Sequence, residues 1–411
     1  WYIVILSNIW PCETRKVVQI MKFNFDYAED HRNDHSIRWL QPEGRDDILG
    51  MGTADLDFCC PPCVREATLA VANENTFNYR YKPDSYYQAV TGWFSRHYGM
   101  EVPREWISSI PGTLAAVHMA VRLFARPGDY VLMQTPYFTP LRAGIEGAGC
   151  RFLPNPMKLI NGRYELDLED FEEKIRLYRP SLFILVNPQN PTGRIFTMEE
   201  LNRMVSICAR YQVKIISDEV HFLVTFDGKK HIPIYAVSEE ARRISIQIFS
   251  YSKGFNIMSL PHAMVFIADR SMREQWDRFV YSFNFNYASN SFSIAAVTAV
   301  AGGEADEWLR QLTLYLQDNR DFFMEETARR GLPIRPLLPE ASFLFWIDCR
   351  DCNIPPEKLK EAFLKEAGIS LNNGLEHGED GTGFVRLNFG VTRKTLQTAL
   401  DRMERMFQTR A

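Results

Sequence analysis

The sequence has little cysteine and no excess of charge of one sign. Its 411 residues include 8 cysteines, and 47 Lys and Arg stand against 51 Asp and Glu, for a net charge of −4. So few cysteines in so long a chain argue against a disulfide framework and favour a reducing, cytoplasmic compartment. The near balance of charge predicts no nucleic-acid partner and no polybasic contact with a membrane.

Long apolar runs are also missing. The run at residues 1–6 stops at Ser7, whereas a membrane-spanning helix needs about 20 apolar residues. The basic pair Arg15 and Lys16 follows this run instead of preceding it, which is unlike a secretory signal. Met21 resembles a natural start, so we interpret residues 1–20 as an upstream extension without function.

Two groups of cysteines are the candidates for a metal site. One group lies within residues 59–63 and is interrupted by two consecutive prolines, and the other is the pair Cys349 and Cys352. No histidine lies at ligand spacing from either group, and free cysteines are common in protein cores. The sequence therefore predicts no metal site.

Between residues 112 and 268, short apolar or β-branched runs alternate with amphipathic stretches. The runs that we predict as strands are residues 130–133, 181–186, 213–217, 244–249 and 263–268. The stretches 113–124 and 198–211 have the periodicity of helices that bury one face. This alternation predicts βαβ units and a mostly parallel sheet.

The two ends of the chain lack this alternation. Beyond residue 305 a long helical pattern is followed by proline-rich turns and an α+β tail, and residues 21–57 have few strand or helix signals. We therefore predict a large cofactor-binding domain at 71–305. The N-terminal residues 21–70 and the C-terminal residues 306–411 are predicted to form a smaller α+β domain.

Polar residues follow several of the predicted strands, where ligands bind in open parallel α/β sheets. Asn-Pro-Gln-Asn-Pro-Thr-Gly occupies 187–193, Asp-Glu-Val-His occupies 218–221, and Ser-Tyr-Ser-Lys occupies 250–253. Gly112 and Thr113 stand at the start of a predicted helix. Each signal alone is typical of turns and helix caps, so only their combination is informative.

Together these groups suit an aromatic cofactor that carries a phosphate and a protonated ring nitrogen. A helix N-terminus at Gly112, with serine hydroxyls nearby, binds phosphate. A lysine such as Lys253, held in a desolvated pocket, is nucleophilic toward an aldehyde. A carboxylate such as Asp218 keeps a pyridine nitrogen protonated, and the resulting ring withdraws electrons from a substrate.

The order and spacing of these motifs resemble the fold-type I pyridoxal-phosphate enzymes of the class I/II aminotransferase superfamily. The hallmark Asn-Pro-x-Asn-Pro-Thr-Gly is matched in full at residues 187–193. The resemblance implies an α/β large domain with a mostly parallel seven-stranded sheet, a smaller α+β domain, pyridoxal 5'-phosphate as cofactor and an amino-acid substrate. It also implies a homodimer with shared active sites.

Within that superfamily the chain looks most like the MalY/PatB group of cystathionine beta-lyases, also called C-S lyases. The resembling segments are residues 54–58, 216–221, 230–233, 252–257 and 383–388. Asp-Glu-x-His at 218–221, in place of the Asp-Glu-x-Tyr usual in aminotransferases, is the most informative of them. The resemblance implies cleavage of L-cystathionine or related cysteine S-conjugates to a thiol, pyruvate and ammonia.

The resemblance also implies roles for individual residues. Lys253 binds the cofactor covalently, Asp218 pairs with its ring nitrogen, and Arg386 binds the substrate α-carboxylate, as guanidinium geometry favours. The other residues implied in cofactor binding are Asn187 at the ring hydroxyl oxygen, Phe138 stacked on the ring, His221 near it, Gly112, Thr113, Ser250 and Ser252 at the phosphate, and Tyr79 at the phosphate of the neighbouring subunit. Asp55 is implied as a second substrate-binding residue.

Three departures from the family pattern stand out. Phe138 occupies a position where C-S lyases usually carry tyrosine, so a hydroxyl near the substrate is lost unless Tyr137 replaces it. The arginine that clamps the phosphate in many aminotransferases is absent, since residues 258–262 read Met-Ser-Leu-Pro-His. The run 281–287 is unusually aromatic, which fits either core packing or the wall of an apolar substrate pocket.

Three other functions compete with the lyase. An aminotransferase would use nearly the same residues and would differ by its need for an α-keto acid. A nicotinamide enzyme is disfavoured, because Gly50-Met51-Gly52 lacks a third glycine and a following helix. A regulatory role through protein contacts, known for some MalY-type relatives, stays open, although an intact Lys253 disfavours a purely non-enzymatic protein.

Overall fold

The computed structural model describes residues 22–32, 34–39, 45, 47–285 and 290–410. The extension predicted at 1–20, the start at Met21, and residues 286 and 287 of the aromatic run lie outside the described residues. The strands are Leu49–Gly50 (β1), Ile107–Ile110 (β2), Tyr130–Thr135 (β3), Arg151–Pro156 (β4), Lys158–Ile160 (β5), Arg163–Glu165 (β6), Leu182–Val186 (β7), Lys214–Asp218 (β8), Ser245–Phe249 (β9), Ala263–Phe266 (β10), Arg335–Pro336 (β11), Leu344–Asp348 (β12), Ile369–Ser370 (β13), Asn372–Asn373 (β14) and Phe384–Asn388 (β15).

Helices separate most of these strands. They are Pro62–Ala72 (α1), Asp84–Tyr98 (α2), Thr113–Phe124 (α3), Thr139–Gly147 (α4), Leu168–Tyr178 (α5), Met198–Arg210 (α6), Ile234–Val237 (α7), Glu239–Ile244 (α8), Ser252–Phe255 (α9), Arg270–Ser282 (α10), Ser291–Ala301 (α11), Asp306–Arg329 (α12), Leu359–Ala362 (α13) and Arg393–Arg410 (α14). Throughout the described part of the chain, each helix is too short or too polar to cross a membrane.

The largest sheet has seven strands in the order β2-β10-β9-β8-β7-β3-β4. All neighbouring pairs among β9, β8, β7, β3 and β4 are parallel, and β10 is antiparallel to both of its neighbours. The prediction of an α/β fold with a mostly parallel seven-stranded sheet is therefore confirmed. The five strands predicted from the sequence are β3 and β7 to β10, with ends within a few residues of those expected.

The sheet lies between two layers of helices, because alternate strand residues face opposite sides. Val131 and Ile184 pack on one side with apolar residues of α3, and Leu132 and Phe183 pack on the other side with residues of α6. The Thr197 side chain and Glu200 form a capping box at the start of α6, which fixes where that helix begins. Both faces of the central strands are buried, as their continuous apolar runs require.

A second sheet, in the order β11-β12-β15-β14, is antiparallel and is built from the C-terminal residues. The N-terminal residues contact the same region, since β1 pairs with β13 and the Phe25 ring packs on Trp308 and Tyr315. By contrast, α1 packs against α11 and so contacts the part of the chain between residues 71 and 305. The division at 21–70, 71–305 and 306–411 stays a prediction.

Candidate active site

A cavity of about 300 Å³ opens at the carboxyl ends of the central strands of the large sheet. Residues that follow β7, β8 and β9 line it together with the first turn of α3. The predicted site residues that it brings together are Gly112, Thr113, Phe138, Asp218, His221, Ser250, Ser252 and Lys253. This is the edge where an open parallel α/β sheet binds its ligands.

One end of the cavity has the character of an anion site. Gly112 precedes α3 with φ of +104°, a conformation that favours glycine, and directs the first turn of the helix to the cavity. The first amides of a helix have no intrahelical acceptor, and the helix dipole adds positive potential there. Ser250 Oγ lies 3.0 Å from Ser252 Oγ and 3.2 Å from the Ser252 amide nitrogen. This end can hold a phosphate.

Lys253 lies in α9, and its Nζ donates a hydrogen bond to the Ala54 carbonyl oxygen. The pKa of Lys253 is lowered to about 8, mainly by burial; Asp55 and Asp218 oppose this shift, and the Arg386 cation adds to it. An amine with such a pKa is partly neutral near pH 7 to 8. Lys253 is therefore both a nucleophile and a base under mild conditions.

Asp218 ends β8 and is buried. Burial raises the pKa of Asp218, and the amide of Val220, which donates to Asp218 Oδ1 at 3.2 Å, offsets only part of this effect, so that the pKa is about 6. The neighbouring Glu219, in contrast, accepts from Ser217 Oγ, from the Gln247 amide and from the Ile234 backbone. Of the two adjacent carboxylates, Asp218 is the one whose charge calls for a cationic partner in the cavity.

His221 lines the same cavity three residues further on. Its Nδ1 lies 3.0 Å from Ser342 Oγ, so a residue between β11 and β12 of the C-terminal sheet holds the ring in place. Burial, with smaller contributions from the cations of Lys253 and Arg386, lowers the pKa of His221 to about 3. The imidazole is therefore neutral at physiological pH and carries a single N–H.

The segment 187–193 is mostly a structural element. Asn187 Oδ1 accepts from the Phe196 amide and its Nδ2 donates to the Ile232 carbonyl oxygen, each at 3.2 Å, which leaves one of its N–H groups for a ligand. Gly193 has φ of +69°, and a Cβ there would lie 2.7 Å from Pro339 Cβ. Asn187 does not itself line the cavity, so its predicted contact with the cofactor stays a prediction.

Arg386 is buried on β15 next to the cavity. Its Nη2 donates to Asn372 Oδ1 at 2.8 Å and to the Gly52 carbonyl oxygen at 3.0 Å, and its Nη1 donates to Asn190 Oδ1 at 3.2 Å. Burial lowers the pKa of Arg386 to about 10.

All of these acceptors of Arg386 are neutral, and its buried Nε has no hydrogen-bond partner within the described residues. A buried guanidinium without a paired carboxylate is costly. The environment of Arg386 therefore suits a ligand that brings a carboxylate, as the sequence predicts.

Four predicted site residues do not line the cavity, namely Asn187 and Arg386 described above, and Asp55 and Tyr79. Asp55 does not line the cavity; its Oδ1 accepts from Arg38 Nη1 at 3.0 Å, although the adjacent Ala54 does line it. Tyr79 is 88% exposed and is not among the described residues that line the cavity. The roles of Asp55 and Tyr79 stay predictions.

The structure answers two questions that the departures raised. The Tyr137 hydroxyl accepts from Arg142 Nη1 at 3.0 Å, and Tyr137 does not line the cavity, so it does not replace the hydroxyl missing at Phe138. Phe285 of the aromatic run is partly buried and packs against the core, whereas core packing is wrong for Tyr281 and Phe283, which are 62% and 51% exposed. Neither residue lines the cavity of its own chain.

Two residues that support the site carry no assignment from the sequence. Asn256 Nδ2 donates to the Leu56 and Phe58 carbonyl oxygens at 2.9 and 2.6 Å, and Asn388 Nδ2 donates to Thr53 and Asp55 at 2.7 and 2.6 Å. These two amides hold residues 53–58 over Lys253. Both lie within the quoted motifs 252–257 and 383–388, which is the signal that points to them.

The cysteines do not form a metal centre in the part of the chain that the structure describes, where no group of three His, Cys, Asp or Glu side chains is suitably placed. Cys349 and Cys352 are buried, and Cys352 Sγ donates to the Cys349 carbonyl oxygen at 2.7 Å. Cys59 is exposed.

Known proteins share both the sequence and the fold. The profile of the family "Aminotransferase class I and II" matches residues 46–403. Cystathionine beta-lyase PatB of Bacillus subtilis is 33% identical over 385 residues, which cover 93% of this chain and 99% of PatB. Protein MalY of Escherichia coli is 28% identical over 381 residues, which cover 91% and 96% of the two chains.

The crystal structure of a PLP-bound C-S lyase from Staphylococcus hominis superposes with a TM-score of 0.87 at 25% sequence identity. The match covers 94% of this chain and 98% of that one. The cavity described above, which Lys253 and Asp218 both line at the carboxyl end of the sheet, therefore lies in a fold shared along nearly the whole chain. The chain belongs to the aminotransferase class I and II family, in the group of PatB and MalY, and the resemblance inferred from its motifs is confirmed.

Proposed function

We propose that the chain is a pyridoxal-phosphate-dependent carbon-sulfur β-lyase. It cleaves L-cystathionine or related cysteine S-conjugates to a thiol, pyruvate and ammonia. The observation that carries the proposal is a lysine of lowered pKa, Lys253, in one cavity with the unpaired carboxylate Asp218. The similarity to the cystathionine beta-lyase PatB favours the lyase over other reactions of the family.

The residues present fit pyridoxal phosphate. The first turn of α3 with Ser250 and Ser252 suits the phosphate, Phe138 offers a ring for stacking, and the charge of Asp218 calls for a protonated ring nitrogen. Asn187 and the neutral His221 are the candidates for the ring hydroxyl oxygen. When bound, this cofactor supplies an electron sink that stabilises negative charge at the substrate α-carbon.

The residues of the chain supply binding and proton transfer. Arg386 binds the substrate carboxylate through its guanidinium and so orients the α-carbon. Lys253 Nζ, with a pKa of about 8, accepts the α-proton, and the Cβ–S bond then breaks with loss of a thiolate. Hydrolysis of the unsaturated amine that remains gives pyruvate and ammonia.

The alternative is an aminotransferase, which the family match supports. Lys253 is again the residue that moves the proton, but the substrate keeps its β-substituent and nitrogen passes to an α-keto acid. The two reactions therefore differ in their need for a keto acid and in whether a thiol is released.

The deciding experiment incubates the purified protein with pyridoxal phosphate and L-cystathionine and measures pyruvate and free thiol. We expect both products without any keto acid, and loss of both in Lys253→Ala. The matched control is Lys394→Ala, which removes an exposed lysine outside the motif segments and leaves turnover unchanged. Turnover that requires a keto acid and yields no pyruvate contradicts the lyase, and visible absorbance retained in Lys253→Ala contradicts the cofactor assignment.

We also propose a homodimer with shared active sites in a reducing, cytoplasmic compartment. Phe77, Tyr79 and Tyr81 are all exposed in the segment before α2, an aromatic surface that a second copy of the chain would cover. The described cysteines are all free, which suits a reducing environment. The β1–β13 pairing supports one smaller domain formed from residues 21–70 and 306–411.

A further inference from the structure

The residue that stands out beyond the predicted set is His262. Residues 258–262 contain no arginine, although many aminotransferases clamp the cofactor phosphate from this position. His262 is only 7% exposed, yet it lines the cavity together with the first turn of α3, Ser250 and Ser252. Ser250 Oγ donates to the His262 carbonyl oxygen at 2.7 Å, so the histidine lies at the anion-binding end of the cavity.

The His262 ring is held by Tyr86. Tyr86 is fully buried on α2, and its Oη lies 2.8 Å from His262 Nε2 with the two rings nearly perpendicular. The described residues provide no hydrogen-bond partner for the other ring nitrogen, Nδ1. One nitrogen is therefore fixed by the protein, and the other is available to a ligand in the cavity.

The charge around His262 determines what that nitrogen can do. Burial, with a smaller contribution from the nearby Lys82 ammonium, lowers the pKa of His262 to about 3, so the ring is neutral and has one N–H. An anion at Nδ1 favours the tautomer with the proton on Nδ1, while Nε2 accepts from the Tyr86 hydroxyl. The Lys82 charge adds positive potential at this end of the cavity.

We propose that His262, oriented by Tyr86, is a phosphate-binding residue that takes the place of the missing arginine. The inference rests on the proposed use of pyridoxal phosphate and names a residue that binds its phosphate. It predicts that replacing His262 weakens the binding of a ligand that carries the phosphate and leaves the affinity for the same ligand without its phosphate unchanged.

The test compares two ligands, pyridoxal phosphate and pyridoxal, which differ only by the phosphate. The cofactor is removed from the full-length protein, and the affinity of each ligand is measured from the visible absorbance of the bound form. We expect His262→Ala to weaken pyridoxal phosphate about tenfold, as loss of a hydrogen bond to a charged acceptor does. Its affinity for pyridoxal should match that of the wild type, which also shows that the variant is folded.

Two conservative variants locate the contact. His262→Asn keeps an N–H close to the position of Nδ1 and should retain most of the affinity for pyridoxal phosphate. His262→Gln places its N–H near the position of Nε2 and should lose as much as His262→Ala. Tyr86→Phe keeps the aromatic ring of residue 86 but removes the hydrogen bond that orients the His262 imidazole. We expect a smaller loss of affinity, again confined to pyridoxal phosphate.

The outcomes separate this inference from the proposed function. Equal weakening of both ligands in His262→Ala, or no change in either, overturns the phosphate contact. Rescue by Gln but not by Asn also overturns it. If the wild-type protein binds neither ligand, the proposed cofactor itself is wrong.

Discussion

The two sides of the cavity are built in different ways. On the side of the large sheet, Asp218, Ser250 and Lys253 lie at or just after the ends of β8 and β9, so the strands themselves place them. On the other side, Arg386 and Asn388 of β15 bind the backbone of residues 52–55, more than 300 positions earlier in the chain. The first side follows from local structure, and the second depends on contacts between distant segments.

The two sides also differ in their electrostatics. On the sheet side, burial shifts the pKa values of Asp218 and Lys253 toward each other, to about 6 and about 8. Both groups therefore exchange protons close to neutral pH. On the other side, Arg386 stays a cation whose protein acceptors are neutral. The sheet side is suited to proton transfer and the other side to orienting the substrate, and the predictions below test that division.

The largest effect is expected for Asp218→Asn, which removes the negative charge without changing the shape of the side chain. We expect kcat for pyruvate formation to fall about 100- to 1000-fold, because the ring nitrogen loses the charge that keeps it protonated. KM should change little. Steady-state kinetics measures both, with the exposed Asp318→Asn as a control that keeps wild-type values. A raised KM at unchanged kcat would assign Asp218 to substrate binding instead.

Arg386→Lys should affect binding more than chemistry. A lysine keeps the charge but lacks the planar fork that meets a carboxylate with two hydrogen bonds and that now contacts Asn190, Asn372 and Gly52. We expect KM for the amino-acid substrate to rise about 10- to 100-fold, with a smaller change in kcat. Cofactor affinity, measured by absorbance, should stay the same. A matching loss of cofactor affinity would show that Arg386 supports the cavity as a whole.

The third prediction links the two sides through the pKa of Lys253. The neutral amine is the form that reacts with an aldehyde, so the rate of pyridoxal phosphate capture by the cofactor-free protein should rise with pH and level off above about pH 8. Asp55 raises the pKa of Lys253, so Asp55→Asn should move this midpoint to lower pH. Stopped-flow absorbance across pH 6 to 10 measures it. An unchanged midpoint would show that Asp55 does not affect the pKa of Lys253.

The sequence predicted the sheet side well, for a physical reason. The central strands are buried on both faces and appear as continuous apolar runs, and α3 begins at Thr113 and ends at Phe124 as its periodicity indicates. The two edge strands were not predicted. β2 contains two serines, and β4 contains two prolines, which a sheet tolerates only in an edge strand. Position after a strand was enough to select Asp218 and Lys253.

The other side could not be predicted in the same way. Asn256 and Asn388 donate to backbone carbonyl oxygens of distant segments, and Asn190 accepts from the Arg386 side chain. Nothing in the local sequence of these asparagines indicates which distant groups lie opposite them. Arg386 was found only through the family resemblance, since an arginine within a strand carries no local signal. The sequence shows that the segment containing His262 departs from the family pattern. It does not show the contact with Tyr86, because the two residues are 176 positions apart.

The smallest effect is expected at Tyr79, which lies on neither side of the cavity of its own chain. Tyr79 is 88% exposed, so Tyr79→Phe should change the free energy of unfolding by less than about 0.5 kcal/mol. If Tyr79 reaches the phosphate of a second subunit, the variant should bind pyridoxal phosphate about three- to tenfold more weakly, because one hydrogen bond to a charged group is lost. Tyr178→Phe, at a tyrosine that is 45% exposed and lies outside all the segments assigned to the site, serves as the matched control.

Dilution makes the Tyr79 test specific for a contact between subunits. As the protein is diluted and sedimentation shows the dimer dissociating, the wild type should lose affinity for pyridoxal phosphate and approach the value of Tyr79→Phe. The variant should depend less on protein concentration, because the contact that dissociation breaks is already missing. A wild-type affinity that is the same in monomer and dimer would mean that each cavity is completed by its own chain, and that its two sides are the whole of the site.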